Sequence, residues 1–369
     1  MSLRSCDVLI VGGGPAGSTC AGALREAGAD VVVLDRARFP RDKVCAGWIT
    51  PAVLSSLRLT PEEYRSAGLT LQGLQGFRTA CDTGRPVETR YADVVSYAVR
   101  RFEFDAFLLR RSGAHVIEGR PLESLRRDGS YWIANETVAA PLVVGAGGHF
   151  CPVARRIRPN IRKGLVVARE IEVRLAPSEA CLVDPDTPEL YFGRDLEGYG
   201  WCVRKGDYLN VGIGRRTAEG FNRHVEAFIS MLSASGKVPV SVLNQPWRGH
   251  AYLLAGAPTR PPVADGLILV GDAAGLASPE SGEGIGPAIE SSLLAARIIV
   301  AARGLYGESN LLAYAETIRS AAPSPTISYL RSAVPAAVGR LLLSSPRFTR
   351  RVLTQWFVRP AAQGLLQSA

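Results

Sequence analysis

Residues 7–35 read DVLIVGGGPAGSTCAGALREAGADVVVLD. Asp7 to Val11 is a short continuous apolar run, the pattern of a strand buried on both faces of a parallel sheet. It runs into Gly12-Gly13-Gly14-Pro15-Ala16-Gly17, a GxGxxG with its glycines at Gly12, Gly14 and Gly17. Ala16 to Ala27 predicts a small-residue helix ending near Gly28, and Val31 to Leu34 a second strand capped by Asp35. Strand, glycine turn, helix, strand and acid form a dinucleotide fingerprint in its required context, with Asp35 18 positions (35 − 17) past Gly17. Such a turn sets a pyrophosphate on a helix N-terminus, and Asp35 can accept from the ribose hydroxyls.

Outward from this stretch the grammar repeats twice. Leu142 to Val144 is an apolar run ending in Gly145-Ala146-Gly147-Gly148. Leu267 to Val270 ends in Gly271-Asp272 and leads through Pro279 to Gly282-Glu283-Gly284, where a long helix opens with Ile285, Ile289, Leu293, Ala296 and Val300 on one face. Three strands ending in glycine turns place their carboxyl ends around one ligand, where an α/β sheet binds. Arg36 to Pro51 follows one such strand end, so Arg41, Lys43 and Cys45 can reach a phosphate or a reacting centre; the plain alternative for Cys45 is a small buried hydrophobe. A helix is predicted from about Phe102 to Arg111, with Arg100 and Arg101 before it on a strand end and one of them able to hold a phosphate.

Between about Arg162 and Ala255 the pattern changes to period two, as in AREIEVRL and DYLNVGIG, with aromatic residues every few positions from Glu189 to Trp201. This argues an antiparallel sheet with one wet face, inserted into the first domain, with a helix from Phe221 to Leu232. The expected class is α/β (α+β overall). Residues 1–70, 95–160 and 256–305 form a discontinuous Rossmann-like dinucleotide domain. Residues 71–94 and 161–255 form a substrate-binding β-sheet domain, and 306–369 a helical C-terminal region.

Composition bounds the function classes. Of 369 residues, 47% are apolar and 21% charged, ordinary for a globular chain and against disorder. The net charge is +9, and Arg331, Arg340, Arg347, Arg350, Arg351 and Arg359 supply six positive charges in a tail with no acid. That tail holds Leu341, Leu342, Leu343, Trp356 and Phe357 between prolines. It reads as core packing, as a lid over an apolar substrate, or as a peripheral membrane contact. Seven cysteines form no CxxC, and the four histidines are scattered, so no metal site is expected and a reducing, cytoplasmic setting is. No run of about 18 uncharged apolar residues occurs, so no membrane span is expected.

The chain resembles the geranylgeranyl reductase family of flavoproteins, within the para-hydroxybenzoate hydroxylase-like FAD fold. Four islands over roughly residues 5–305 carry the likeness, in the family's order. They are GGGPAG with Asp35, Lys43-Val44-Cys45-Ala46-Gly47, Tyr199-Gly200-Trp201 followed by Lys205-Gly206-Asp207 and Asn210-Val211-Gly212, and Gly271-Asp272 through Gly284-Ile285. The resemblance implies that FAD is held by Gly12, Gly14, Pro15, Ala16 and Gly17, with Asp35 and Arg36 at the next strand end. Lys43, Cys45, Ala46, Arg101 and Gly147 surround it, as do Gly271, Asp272, Gly282, Glu283, Gly284 and Ile285. Cys45, Tyr199 and Trp201 are the implied catalytic residues.

The implied reaction is reduction of carbon–carbon double bonds in a prenyl or similarly apolar substrate, with NAD(P)H or ferredoxin as electron donor. No nucleic acid is expected, and the chain is expected as a monomer or weak homo-oligomer. An aromatic monooxygenase or halogenase, and a prenyl carrier without flavin, are the competing readings. Two departures stand out. Val203-Arg204 replaces the family's Phe-Pro, and Gly147 and Cys151 replace an aspartate and a serine. Cys45 and Cys151, following neighbouring loops, raise the idea of a redox pair.

Overall fold

The computed structural model describes residues 3–81, 85–157, 165–253, 262–278, 281–321 and 336–358. Its central sheet runs in the order Val263–Ala264, Leu267–Leu269, Leu142–Gly145, Val8–Val11, Val31–Leu34, His115–Ile117. Every pairing is parallel except the Val263–Ala264 edge. The four central strands are buried on both faces. Ile10, Val33, Val144 and Ile268 pack towards the helices Pro15–Glu26 and Ile285–Ala301. Leu9, Val32, Val143 and Leu269 pack against a small second sheet through Leu125, Ala134 and Val138.

Close backbone approach fixes the first turn. A Cβ on Gly17 would sit 1.8 Å from the Gly12 carbonyl oxygen, and one on Gly12, at φ +115°, 2.4 Å from the Ala146 carbonyl oxygen. No larger residue fits either place. The helix that follows starts on Pro15, and no side chain caps it. Its first amides therefore face outward unfilled.

The second region is a seven-stranded sheet ordered Arg248–Leu253, Leu165–Arg174, Tyr208–Arg215, Gly198–Lys205, Glu189–Phe192, Gly76–Cys81, Val87–Arg90. Period two sorts its side chains. Ile171, Val211, Ile213 and Cys202 face the helix Phe221–Ser235. Ala168, Glu170 and Glu172 lie across from Gly214, Gly212 and Asn210, with Trp201 opposite Gly212 on the far side. The face carrying the glutamates was expected to be wet. It is instead turned inward over a cleft, and Glu170 is buried.

Other expectations shift by a turn or less. Arg101 opens the helix Arg101–Arg111 rather than preceding it, with Arg100 as its N-cap. The long helix ends at Ala301, before Gly304. In the tail, short helices at Ala336–Leu343 and Pro346–Leu353 lead into Thr354–Val358. Arg331, Arg359, Pro279, Pro335 and Pro360 lie outside the described residues. No helix among the described residues is long and apolar enough to cross a membrane.

Candidate active site

A cleft of about 950 Å³ separates the two sheets, and the glycine turns open onto it. Gly12, Gly14, Pro15, Ala16, Asp35 and Arg36 line one end; Lys43, Cys45, Ala46, Arg101 and Gly147 line the middle. Asp272, Gly282, Glu283, Gly284 and Ile285 line it opposite, beside Tyr199 and Trp201. Gly17 and Gly271 stand behind this lining. Gly17 lets strand and helix meet, and Gly271, at φ +57°, would press a Cβ to 3.1 Å from the Ala288 Cβ.

Hydrogen bonds hold the nucleotide end rigid. Asp35 accepts from the Gly13 amide at 2.6 Å and from the Ala37 amide at 2.7 Å. Arg101 makes a fork with buried Asp105 at 2.6 and 2.8 Å, and Arg41 joins the same carboxylate at 3.0 Å. Asp105 thus anchors two guanidinium groups at the cleft wall. Arg41 leaves its Nη1 buried without a partner, and a Cβ on Gly14 would come 3.5 Å from its Nη2. A donor so placed beside uncapped helix amides is suited to a phosphate.

Burial governs the titrating groups at the middle. It pushes Lys43 down to about 8, with Arg101 adding and Asp272 opposing. It pushes His250 down to about 3, with Lys43 adding. At neutral pH the Lys43 ammonium therefore donates to a neutral His250 Nε2. Burial also raises Asp272, against the pull of Lys43, Arg101 and His149. Glu283 is raised by burial to about 7, and its Oε1 accepts from the Gly286 amide at 3.0 Å in the first turn of the long helix.

The far end is aromatic. Phe357 stacks on Trp48 at 4.7 Å and on Phe77 at 5.6 Å between centroids, and Trp356 meets Phe192 at 6.0 Å. Tyr199 donates to the Ser281 carbonyl at 2.5 Å, and Trp201 donates to the Asn210 Oδ1 at 2.7 Å. Trp201 lies flat over Gly212, where a Cβ would be 2.2 Å from the indole. Val203 joins the same apolar cluster, which gives the Val203 departure a packing role. Gly147 packs on Cys151, whose Sγ lies 3.3 Å from a Cβ there, and Cys151 and Cys45 are both free thiols. They form no disulfide.

Sequence reading missed Trp48, His149, Glu170, His250 and Tyr252, all lining the cleft. The AREIEVRL alternation was the only signal for Glu170, and the histidines carried none.

The chain's residues 5–325 match a family model described as an FAD binding domain. A digeranylgeranylglycerophospholipid reductase of Methanothrix thermoacetophila is 30% identical, with 84% of this chain and 82% of that protein covered. A menaquinone reductase of Mycobacterium tuberculosis is 29% identical, covering 80% and 76%. Among solved structures, a geranylgeranyl bacteriochlorophyll reductase-like protein from Thermoplasma acidophilum superposes with a TM-score of 0.77 at 20% identity, covering 100% and 99%. A flavin-dependent halogenase shares the fold at a TM-score of 0.65 and 24% identity, covering 87% and 63%. The residues present fit FAD: a glycine cradle that a Cβ would fill, an unpartnered Arg41 donor beside uncapped amides, and an acid at the second strand end. The chain belongs to the FAD binding domain family and, within it, to the geranylgeranyl reductase group of FAD-dependent oxidoreductases.

Proposed function

We propose that this enzyme reduces carbon–carbon double bonds of prenyl chains. One observation carries the reading: the nucleotide turns and an aromatic chamber share a single cleft. The relatives' names support it, since digeranylgeranyl lipid and menaquinone both carry prenyl chains. Bound FAD supplies the hydride.

This chain's residues bind and orient. Gly12, Gly14, Pro15, Ala16 and Arg41 hold the pyrophosphate, with Gly17 allowing the turn. Asp35 and Arg36 hold the adenosine half. Lys43, Ala46, Arg101, Gly147 and Asp272 would hold the middle of the cofactor, its ribitol and phosphate side, with Gly271 behind them allowing the turn, and Gly282, Glu283, Gly284 and Ile285 would lie beside the ring. Cys45, Tyr199 and Trp201 form the wall against which the alkene lies, and Trp48 and Phe357 exclude water. Each prenyl CH₂ buried there contributes about 0.8 kcal/mol.

Residues 1–70, 95–160 and 256–305 form the cofactor domain, 71–94 and 161–255 the substrate domain and 306–369 a C-terminal region, from which Trp356 and Phe357 reach the cleft. Electrons arrive from NAD(P)H or ferredoxin. The enzyme works in the cytoplasm as a monomer or weak homo-oligomer. Exposed Leu341 and Leu342 beside tail arginines support brief contact with a membrane surface, where such substrates reside.

The test is anaerobic. Dithionite-reduced enzyme mixed with geranylgeranyl lipids and with menaquinone is expected to reoxidise and yield saturated product. Reoxidation by oxygen with hydroxylation of a small aromatic, and by no alkene, would overturn the reading.

A further inference from the structure

Two carboxylates share one face of the Leu165–Arg174 strand, and their surroundings drive them apart. Glu172 Oε2 accepts from Lys205 at 2.7 Å, and its Oε1 accepts from Arg100 at 3.1 Å. Burial alone would raise Glu172, but Lys205 and Arg100 outweigh it and hold it below the ordinary range. Glu172 stays ionised.

Glu170, two residues earlier, is 6% exposed and lines the cleft, and its Oε2 has no hydrogen-bond partner. The two cations nearest it in the sheet, Lys205 and Arg248, are both paired with other carboxylates. Lys205 is fully buried on Glu172 and the Cys45 carbonyl. Arg248, its cross-strand neighbour, pairs with Asp42. Burial, opposed by Lys205, the Cys45 backbone and Asn210 and helped by Glu172, pushes Glu170 up to about 7. A carboxyl in that condition is still partly protonated at neutral pH. Such divergent pairs mark acid and base assignments.

The position is also built for delivery. Glu170 stands across the ladder from Gly212, where a Cβ would lie 2.9 Å from the Glu170 Cβ and 2.2 Å from the Trp201 indole. Gly212 therefore brings the aromatic wall and the carboxyl side by side. An unactivated alkene cannot accept hydride at one carbon unless the other is protonated, so an acid within the apolar chamber is required.

Resting on the function proposed above, we propose that Glu170 is the acid that protonates the substrate alkene. The π bond breaks as hydride from the reduced cofactor forms one C–H bond and the Glu170 proton forms the other. The alkene gains two electrons, the cofactor loses them, and the Glu170 carboxylate regains a proton from water.

The experiment pairs Glu170→Gln with wild type in the holoenzyme. The first readout is independent of turnover: infrared pH titration of the oxidised protein. Wild type is expected to show a protonated-carboxyl component that fades with a midpoint near 7 and that is missing from E170Q, which keeps only the contributions of Glu283 and Glu290. The second is single-turnover reoxidation of reduced enzyme by geranylgeranyl lipid. In wild type its rate should fall as pH rises through that midpoint. In E170Q the limb should vanish and the rate drop about 10²-fold or more, with FAD content and reduction unchanged.

An infrared titration identical in E170Q and wild type, or E170Q turnover within threefold of wild type with the pH limb kept, would overturn the assignment. Wild type that reduces no prenyl alkene, although the band behaves as described, would overturn the reading of function and the donor role with it.

Discussion

Single residues set the local chemistry, and three raised carboxyls shape its response between pH 5 and pH 8. Burial raises Glu170 and Glu283 to about 7 and Glu290 to about 8, from an ordinary value of 4.5. The folded chain therefore binds these protons more tightly than the unfolded one. Their stabilising contribution is full below about 4.5 and is lost as pH rises through about 7 to 8. The urea midpoint should fall between pH 5 and pH 8, and Glu170→Gln should flatten part of that slope; an unchanged slope would show Glu170 ionised throughout.

Asp272→Ala removes a carboxylate flanked by Lys43 and Arg101, and should lower retained FAD several-fold on gel filtration, read from the flavin-to-protein absorbance ratio. Gly17→Ala forces a Cβ 1.8 Å from the Gly12 oxygen and should yield protein without flavin. If that variant purified yellow and as stable as wild type, the turn would be looser than described.

Among the elements, the glycine turns were legible because their requirement is local. Gly17 answers to clearance from the Gly12 carbonyl within one loop and Gly12 to its own φ of +115°, although Gly12 also clears the Ala146 carbonyl of another strand end, and the strand lengths around them follow from short apolar runs. The cleft wall was not legible, because it depends on register between strands far apart in sequence. Glu170 and Trp201 become neighbours only through Gly212, and His250 reaches Lys43 across 207 positions. Alternation in AREIEVRL was correct as a strand pattern, yet a polar alternate face can roof a cleft as readily as meet solvent. The tail segment 346–358 likewise showed its aromatics but not their target. Phe357→Ala removes the ring stacked on Trp48 and Phe77, and should cost about 3 kcal/mol at most sites of this kind while raising KM for a prenyl substrate. An unchanged KM with lowered stability would leave Phe357 a packing residue alone.

At the scale of the molecule, the active site is the space between two sheets, and FAD binding should stabilise the whole. By mass action, ligand at about 100 times Kd adds about 2.7 kcal/mol, so removing FAD should lower the melting temperature and re-addition restore it. Order in the chain gives the central sheet a further property. The Val8–Val11 strand emerges early in synthesis, but its neighbour Leu142–Gly145, and Leu267–Leu269 on the far side of that strand, come much later, with the seven-stranded sheet completed between them. Both ends of the cofactor cleft close only once the Asp272 turn and the Ile285–Ala301 helix have joined a sheet whose first strand was made some 260 residues before. A nascent chain halted before Val263 would carry the complete dinucleotide fingerprint and still retain no flavin. Capture of the cofactor is thus a late event in the making of this protein.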